Sequence, residues 1–107
     1  MNFIMIYTTC TSEDEAKQIS KILLDENLIA CSNIIPKILS IFEWDSKISG
    51  QSECALLLKT IEENFDGISN LIKENHSYEM PCIFSLPVKN IESDFGDWVK
   101  KITNKQV

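Results

Sequence analysis

Two apolar runs flank a polar stretch across residues 30–60, which reads ACSNIIPKILSIFEWDSK, then ISGQ, then SECALLLKT. After Pro36 the first run alternates. Ile38, Ser40, Phe42 and Trp44 fall on one side, and Leu39, Ile41, Glu43 and Asp45 on the other, the period of a strand. The second run, residues 54–58, is apolar at every position, as a strand covered on both faces would be. With Gly50 in the polar stretch between them, the two runs predict a long hairpin. Pro36 cannot donate a ladder hydrogen bond, so the first run belongs at a sheet edge, bent near that proline.

The flanking segments complete the pattern. Residues 3–9 form a β-rich apolar run and predict an inner strand. Ser12 and Glu15 have the spacing of a capping box, and Glu13, Asp14 and Glu15 suit the positive end of a helix dipole. Ala16, Ile19, Ile22 and Leu23 supply the buried stripe of that helix, and Asn27 its stop. A second helix runs from about Asn64 to Asn75, with Phe65, Ile68, Leu71 and Ile72 inward. Residues 76–81, HSYEMP, are a polar connector. Residues 82–88 give a fourth strand, placed at an edge by Pro87. Ser93 caps a last helix with Phe95, Trp98, Val99 and Ile102 as its apolar face, and the tail NKQV frays.

The order β-α-β-β-α-β plus a terminal helix predicts an α+β fold, a ferredoxin-like sandwich with an antiparallel sheet whose first and third strands lie inside. With 107 residues, the chain is read as one domain spanning residues 1–107. Two helices cover one face of such a sheet. The inner strands are apolar on both faces, and one short terminal helix is too small for the second, so self-association is the economical cover.

Charge narrows the partners. Sixteen carboxylates stand against ten lysines, for a net charge of −6, and arginine is absent. An acidic surface without the guanidinium fork argues against nucleic acid and anionic membrane, and is compatible with cations. No apolar stretch reaches the roughly 18 residues of a spanning helix, and the opening residues read as a strand, not a signal peptide. The four cysteines, Cys10, Cys31, Cys54 and Cys82, form no C-x-x-C pair. Reduced thiols in the cytoplasm are expected. Cys31, Cys54 and Cys82 are read as small buried hydrophobes, and Cys10, just past a strand end, as the accessible thiol.

Several short segments stand in register along nearly the whole chain: Tyr7-Thr8-Thr9, Ala30-Cys31-Ser32-Asn33-Ile34-Ile35-Pro36, Trp44 followed by Lys47, Lys59-Thr60, His76-Ser77-Tyr78-Glu79-Met80-Pro81 and Asp97-Trp98. Together they resemble the CutA divalent-cation tolerance proteins, whose motifs read like A-C-x-N-I-I-P, W-x-x-K, K-T and H-P-Y-E-x-P. The resemblance implies a ferredoxin-like subunit in a tight homotrimer with edge strands pairing between subunits. It also implies a link to copper and other divalent cations, and no catalytic reaction. The metal site it implies uses a strand-one cysteine and two adjacent histidines. This chain has Thr8 at the best-matching strand-one position with Cys10 two residues on, Asn75 before its one histidine, and Ser77 where the motif has proline.

His76 is the sole imidazole, and imidazole nitrogen suits Cu²⁺ while thiolate suits Cu⁺. The candidate metal ligands are therefore His76, Cys10 and Glu79, with a hydrogen-bonded loop histidine and a surface carboxylate as the alternative readings. Trp44, Glu53, Lys59 and Tyr78 are candidates for a cleft between subunits, their alternatives being interface packing and a Glu53–Lys59 ion pair. No nucleophile and base pair, G-x-S-x-G elbow or phosphate loop is present, so an enzyme is not expected. Three roles follow: a divalent-metal-binding trimer, a trimeric scaffold or partner-binding module, or a small-ligand sensor or enzyme using clefts between subunits.

Overall fold

The computed structural model describes residues 2–104. Its elements are β1 (Phe3–Cys10), α1 (Glu13–Asp25), β2 (Cys31–Trp44), β3 (Lys47–Ile61), a 3₁₀ turn (Glu62–Asn64), α2 (Phe65–Asn75), β4 (Ile83–Pro87) and α3 (Ser93–Thr103). The sheet order is β2-β3-β1-β4 with every neighbouring pair antiparallel. β1 and β2 therefore run the same way with β3 between them, the split βαβ arrangement. The proline-free strands are inside and the proline-bearing strands are edges, as their backbone donors require. Most of the NKQV tail, residues 105–107, lies outside the described residues.

Register sorts the side chains. Ile4, Ile6, Thr8 and Cys10 oppose Thr60, Leu58, Leu56 and Cys54 in turn. These residues face α1 and α2 and form the main core with Ala16, Ile19, Leu23, Ile68 and Ile72. The alternate residues of β1, Phe3, Met5, Tyr7 and Thr9, face the other way. There α3 closes one end through Val99 and Ile102, packed with Phe3, Ala30 and Ile61. Gly96 permits that approach: a β-carbon there would sit 3.2 Å from Ile91 Cγ2 and 3.4 Å from Phe3 Cζ. The rest of this face is open, with Ile35, Phe42, Phe84 and Leu86 exposed.

Local chemistry ends the helices. Ser12 Oγ accepts from Glu15 N at 3.1 Å. At the other end of α1, Asn27 takes φ of 56°, Asn27 N donates to Leu24 O and Leu28 N to Leu23 O. That is a Schellman stop with asparagine at the left-handed position. The last helix departs from expectation: its cap is Glu92, not Ser93, and Glu92 accepts from Asp94 N and Phe95 N. A carboxylate there satisfies two free amides and the helix dipole at once.

The hairpin also turns elsewhere than Gly50. Asp45 and Ser46, with φ of 51° and 64°, form the two-residue turn between Trp44 and Lys47. A turn of this kind needs positive φ at both central residues, which aspartate tolerates through local hydrogen bonding. Gly50 instead pairs with Ile41 inside β3. At Pro36 the ladder does break: Ile35 pairs with Ala55 and Ile38 with Glu53, leaving Pro36 and Lys37 opposite Cys54 alone. This is a bulge of two residues against one.

The core placement is checked by Leu58→Ala. Leu58 is fully buried between the central strand and the helices. Urea unfolding should show a loss of about 2–5 kcal/mol, the range for deleting a buried leucine side chain. A loss below about 0.5 kcal/mol, the surface range, would place Leu58 outside the core.

Candidate functional site

Three chain ends meet at one rim of the sheet. β1 finishes at Cys10, α1 begins with Glu15 in its first turn, and α2 ends at Asn75 just before His76. The ligand-type atoms of Cys10, Glu15 and His76 all lie within 4.8 Å of one another. The split βαβ order makes this convergence unavoidable: the strand-to-helix turn after β1 and the helix-to-strand connection after α2 sit at the same end.

Hydrogen bonds fix the histidine. Tyr78 N–H donates to His76 Nδ1 at 3.0 Å, and His76 Nε2 lies 2.7 Å from the Thr9 carbonyl. An amide can only donate, so Nδ1 accepts and Nε2 carries the proton. The ring is thus a neutral imidazole with both nitrogens engaged and its side chain fully buried. Glu15 lies beside it, Oε1 at 3.9 Å from Nε2. That carboxylate accepts from Thr11 N, Thr11 Oγ1 and Ser77 N at 3.0, 3.1 and 2.9 Å. Burial alone would raise its pKa, but the donors from Thr11 and Ser77 outweigh that and hold the carboxyl below its ordinary range. Cys10 is the opposite case. Its thiol is pushed up to about 12, by burial first and then by Glu15, Cys54 and Glu53 nearby.

Beyond His76, Tyr78 carries the network to the open face. The two rings are 4.9 Å apart. Tyr78 Oη donates to Glu53 Oε2 at 2.9 Å and accepts from Gln51 Nε2 at 2.8 Å. Burial and then the Glu53 carboxylate push the Tyr78 phenol up to about 12, so it remains a donor throughout the neutral range. Glu53 is itself buried. These residues line an open concavity of about 1220 Å³ with Tyr7, Trp44 and Met80 on its walls.

The sequence candidates separate accordingly. His76 and Cys10 come together, but the carboxylate with them is Glu15, not Glu79, which is exposed on the connector. Trp44, Glu53 and Tyr78 share the concavity. Lys59 does not: it lines a smaller cavity of about 320 Å³ near α3, with Nζ 5.8 Å from the Phe95 ring centroid. An ion pair with Glu53 is out of reach, since six residues of one strand span about 20 Å. Cys10 is not accessible. It is the last residue of β1 and fully buried, because Glu15, Thr11 and the connector close over the strand end. Cys82, expected inside, is exposed, and Cys31 is half-buried. Glu15 reads in sequence as a capping residue, which it is; its second role depends on a contact 62 residues away.

The Glu15 contacts have a pH signature. A carboxyl whose pKa is lowered by folding contributes stability above the ordinary value of 4.5, and that contribution is lost as pH falls through the lower folded value. Glu15→Gln should therefore cost about 1–3 kcal/mol in urea unfolding at pH 7, the scale of charge-assisted hydrogen bonds. The gap to wild type should close on acidification below 4.5. A gap independent of pH would show that the charge of Glu15 is not what these donors hold.

Known proteins resemble this chain in sequence and in fold. The family model described as CutA1 divalent ion tolerance protein matches residues 4–102. The divalent-cation tolerance protein CutA of Archaeoglobus fulgidus is 42% identical over 94 residues, covering 88% of this chain and 91% of that protein. Protein CutA 1, chloroplastic, of Oryza sativa is 31% identical over 102 residues, 95% of this chain, although the chain spans only 58% of that protein's length. The crystal structure of CutA1 from Oryza sativa superposes with a TM-score of 0.95 at 30% identity, covering 99% of this chain and 97% of that one. By sequence and by fold, the chain belongs to the CutA1 divalent ion tolerance family.

Proposed function

We propose that the protein is a trimeric divalent-cation-binding protein acting in cation tolerance, with Cu²⁺ or a similar ion held at the rim formed by Cys10, Glu15 and His76. The observation that carries the reading is the convergence of a thiol, a carboxylate and the sole imidazole within 4.8 Å. Nitrogen and sulfur donors together favour Cu²⁺ and Zn²⁺ over the hard cations. Family membership supports the tolerance role. Glu79 is left as an outer helper at the mouth of the concavity it lines.

The tautomer of His76 adds a condition. A cation on Nε2 needs that lone pair, and the proton must then move to Nδ1, where Tyr78 N–H points. Two donors cannot face each other, so ligation requires the connector to shift or the ring to turn. The satisfied imidazole also favours a second reading, in which His76 is a structural clamp and the trimer a partner-binding scaffold. A third reading, a small-ligand sensor, is favoured by the Tyr78–Glu53–Gln51 network in the concavity. The four unpaired thiols support a reducing compartment such as the cytoplasm.

The trimer reading is supported by surface that the lone chain leaves bare. Leu39, Ile41, Trp44 and Ile48 on the hairpin are 60–80% exposed. β2 is a fourteen-residue edge, and long apolar edges invite pairing.

Calorimetric titration with Cu²⁺ at pH 7.5 in a non-chelating buffer should show saturable binding that His76→Ala weakens. Equal affinity in both proteins would remove His76 from the site, and no saturable binding in either would favour the scaffold. Light scattering at micromolar concentration should give three times the chain mass of 12.2 kDa. Trp44→Glu should lower that mass; a stable monomeric wild type would sink the trimer.

A further inference from the structure

Cys54 belongs to no function so far described, yet its position is unusual. It is the direct cross-strand partner of Cys10. Both side chains face the helices, and both are buried, at 3% and 0% exposure. Directly opposed residues of an antiparallel pair hold their β-carbons about 4.5–5.5 Å apart. Two cysteines so paired can bring their sulfurs to one ion at about 2.3 Å each once the Cys54 side chain turns from the Pro36 carbonyl toward Cys10.

The surroundings of Cys54 suit a ligand. On its other side stands the β2 bulge, where Pro36 and Lys37 oppose it and are themselves exposed. Cys54 Sγ–H donates to the Pro36 carbonyl at 3.0 Å. The bulge thus turns the thiol proton toward a surface segment whose ladder is already broken. One step along the same face of β1, Thr8 Oγ1 is buried with no hydrogen-bond partner among the described residues. A native core seldom leaves a polar atom unspent except where function claims it. His76 and Glu15 complete the rim on the Cys10 side.

We propose that Cys10 and Cys54 form a dithiolate site for a soft, monovalent d¹⁰ cation, of which Cu⁺ is the biological example. The inference rests on the reading that Cys10 is part of the cation site, and extends it from a mixed N/O/S site to one that takes the reduced ion. Thiolates prefer such ions because both partners are polarisable, and two sulfurs satisfy their low coordination number. Binding is proton-balanced: one cation enters, two thiols each lose a proton, and the product carries one net negative charge. No electron is transferred, so no oxidant or reductant is needed. Both cysteines belong to the main apolar core, where little water competes.

The test uses Ag⁺, a d¹⁰ ion that does not cycle between oxidation states. Cys31 and Cys82, which are partly or fully exposed, are first replaced in a Cys31→Ser/Cys82→Ser parent so that they cannot bind it. After reduction and anaerobic desalting, the parent should bind one Ag⁺ per chain with release of two protons, measured calorimetrically in two buffers of different ionisation enthalpy. Cys54→Val should weaken Ag⁺ by at least about 100-fold, beyond the 10–100-fold cost of losing an outer-shell partner. Cys54→Ser, which keeps a donor to Pro36, should fall similarly and serves if valine overpacks the site. Cu²⁺ affinity should be unchanged in both. Ag⁺ bound as tightly by both Cys54 variants as by their parent would overturn the dithiolate and leave the divalent reading standing. Loss of Cu²⁺ sensitivity to His76→Ala, with the Cys54 effect on Ag⁺ intact, would overturn the divalent reading and keep the dithiolate.

Discussion

The pairing of β1 with β3 is the constraint from which the rest of the molecule follows. Because side chains alternate, the register that sets Cys10 against Cys54 also sets Ile4, Ile6 and Thr8 against the helices and Phe3, Met5, Tyr7 and Thr9 against the open face. A slip of one residue would exchange the two sets. Slipping β3 would turn Lys59 under the helices and expose Leu56 and Leu58. The cost of that exchange, at roughly 1.5–3 kcal/mol for each large apolar side chain, holds the register, and with it the position of every group at the rim. Cys10 stands opposite Cys54 because the core demands this register, not because a loop was shaped around them.

Glu15 is where that framework is joined to the connector. Its carboxylate caps the residues that begin α1, through Thr11, and holds Ser77 from the far side of α2. His76 is then fixed between the Thr9 carbonyl and the Tyr78 amide. The connector between α2 and β4, short of regular structure, is thus ordered by donors and acceptors from three other segments. An arrangement of this kind trades freedom for geometry: the imidazole is placed closely, but each of its nitrogens is already spoken for.

What the chain discloses and what it hides divide along sequence distance. Pro36 and Pro87 forbid central strands, so the order of the sheet could be read directly, and Asn27 and the Ser12–Glu15 spacing announced the ends of α1. The hairpin turn was hidden because its φ values are positive at Asp45 and Ser46, residues that also read as strand, while Gly50 offered a false signal. Cys10 looked accessible because a strand end usually is; only the contacts of Glu15 with Thr11 and Ser77 bury it. Lys59 and Glu53 lie on one face of one strand, and sequence gave no hint that α3 would claim one end of that face and the concavity the other. The pairing of Cys10 with Cys54 needed the register itself, which composition cannot supply.

Tyr78 then links the two surfaces that the fold keeps apart. Its amide holds His76 at the rim, and its phenol holds Glu53 and Gln51 in the concavity. If a cation claims Nε2 and the connector shifts to release the Tyr78 amide, the phenol moves with its backbone unless the side chain changes rotamer. Glu53, buried and bonded to that phenol, would lose its donor and have to find another. A ligand at the rim that moved the connector would therefore alter the cost of binding in the concavity through one residue, and linkage would make the reverse effect equal. The open apolar face beside Trp44 lies within that same concavity, so any subunit or ligand covering it meets the end of a chain of contacts that begins at the metal-type donors.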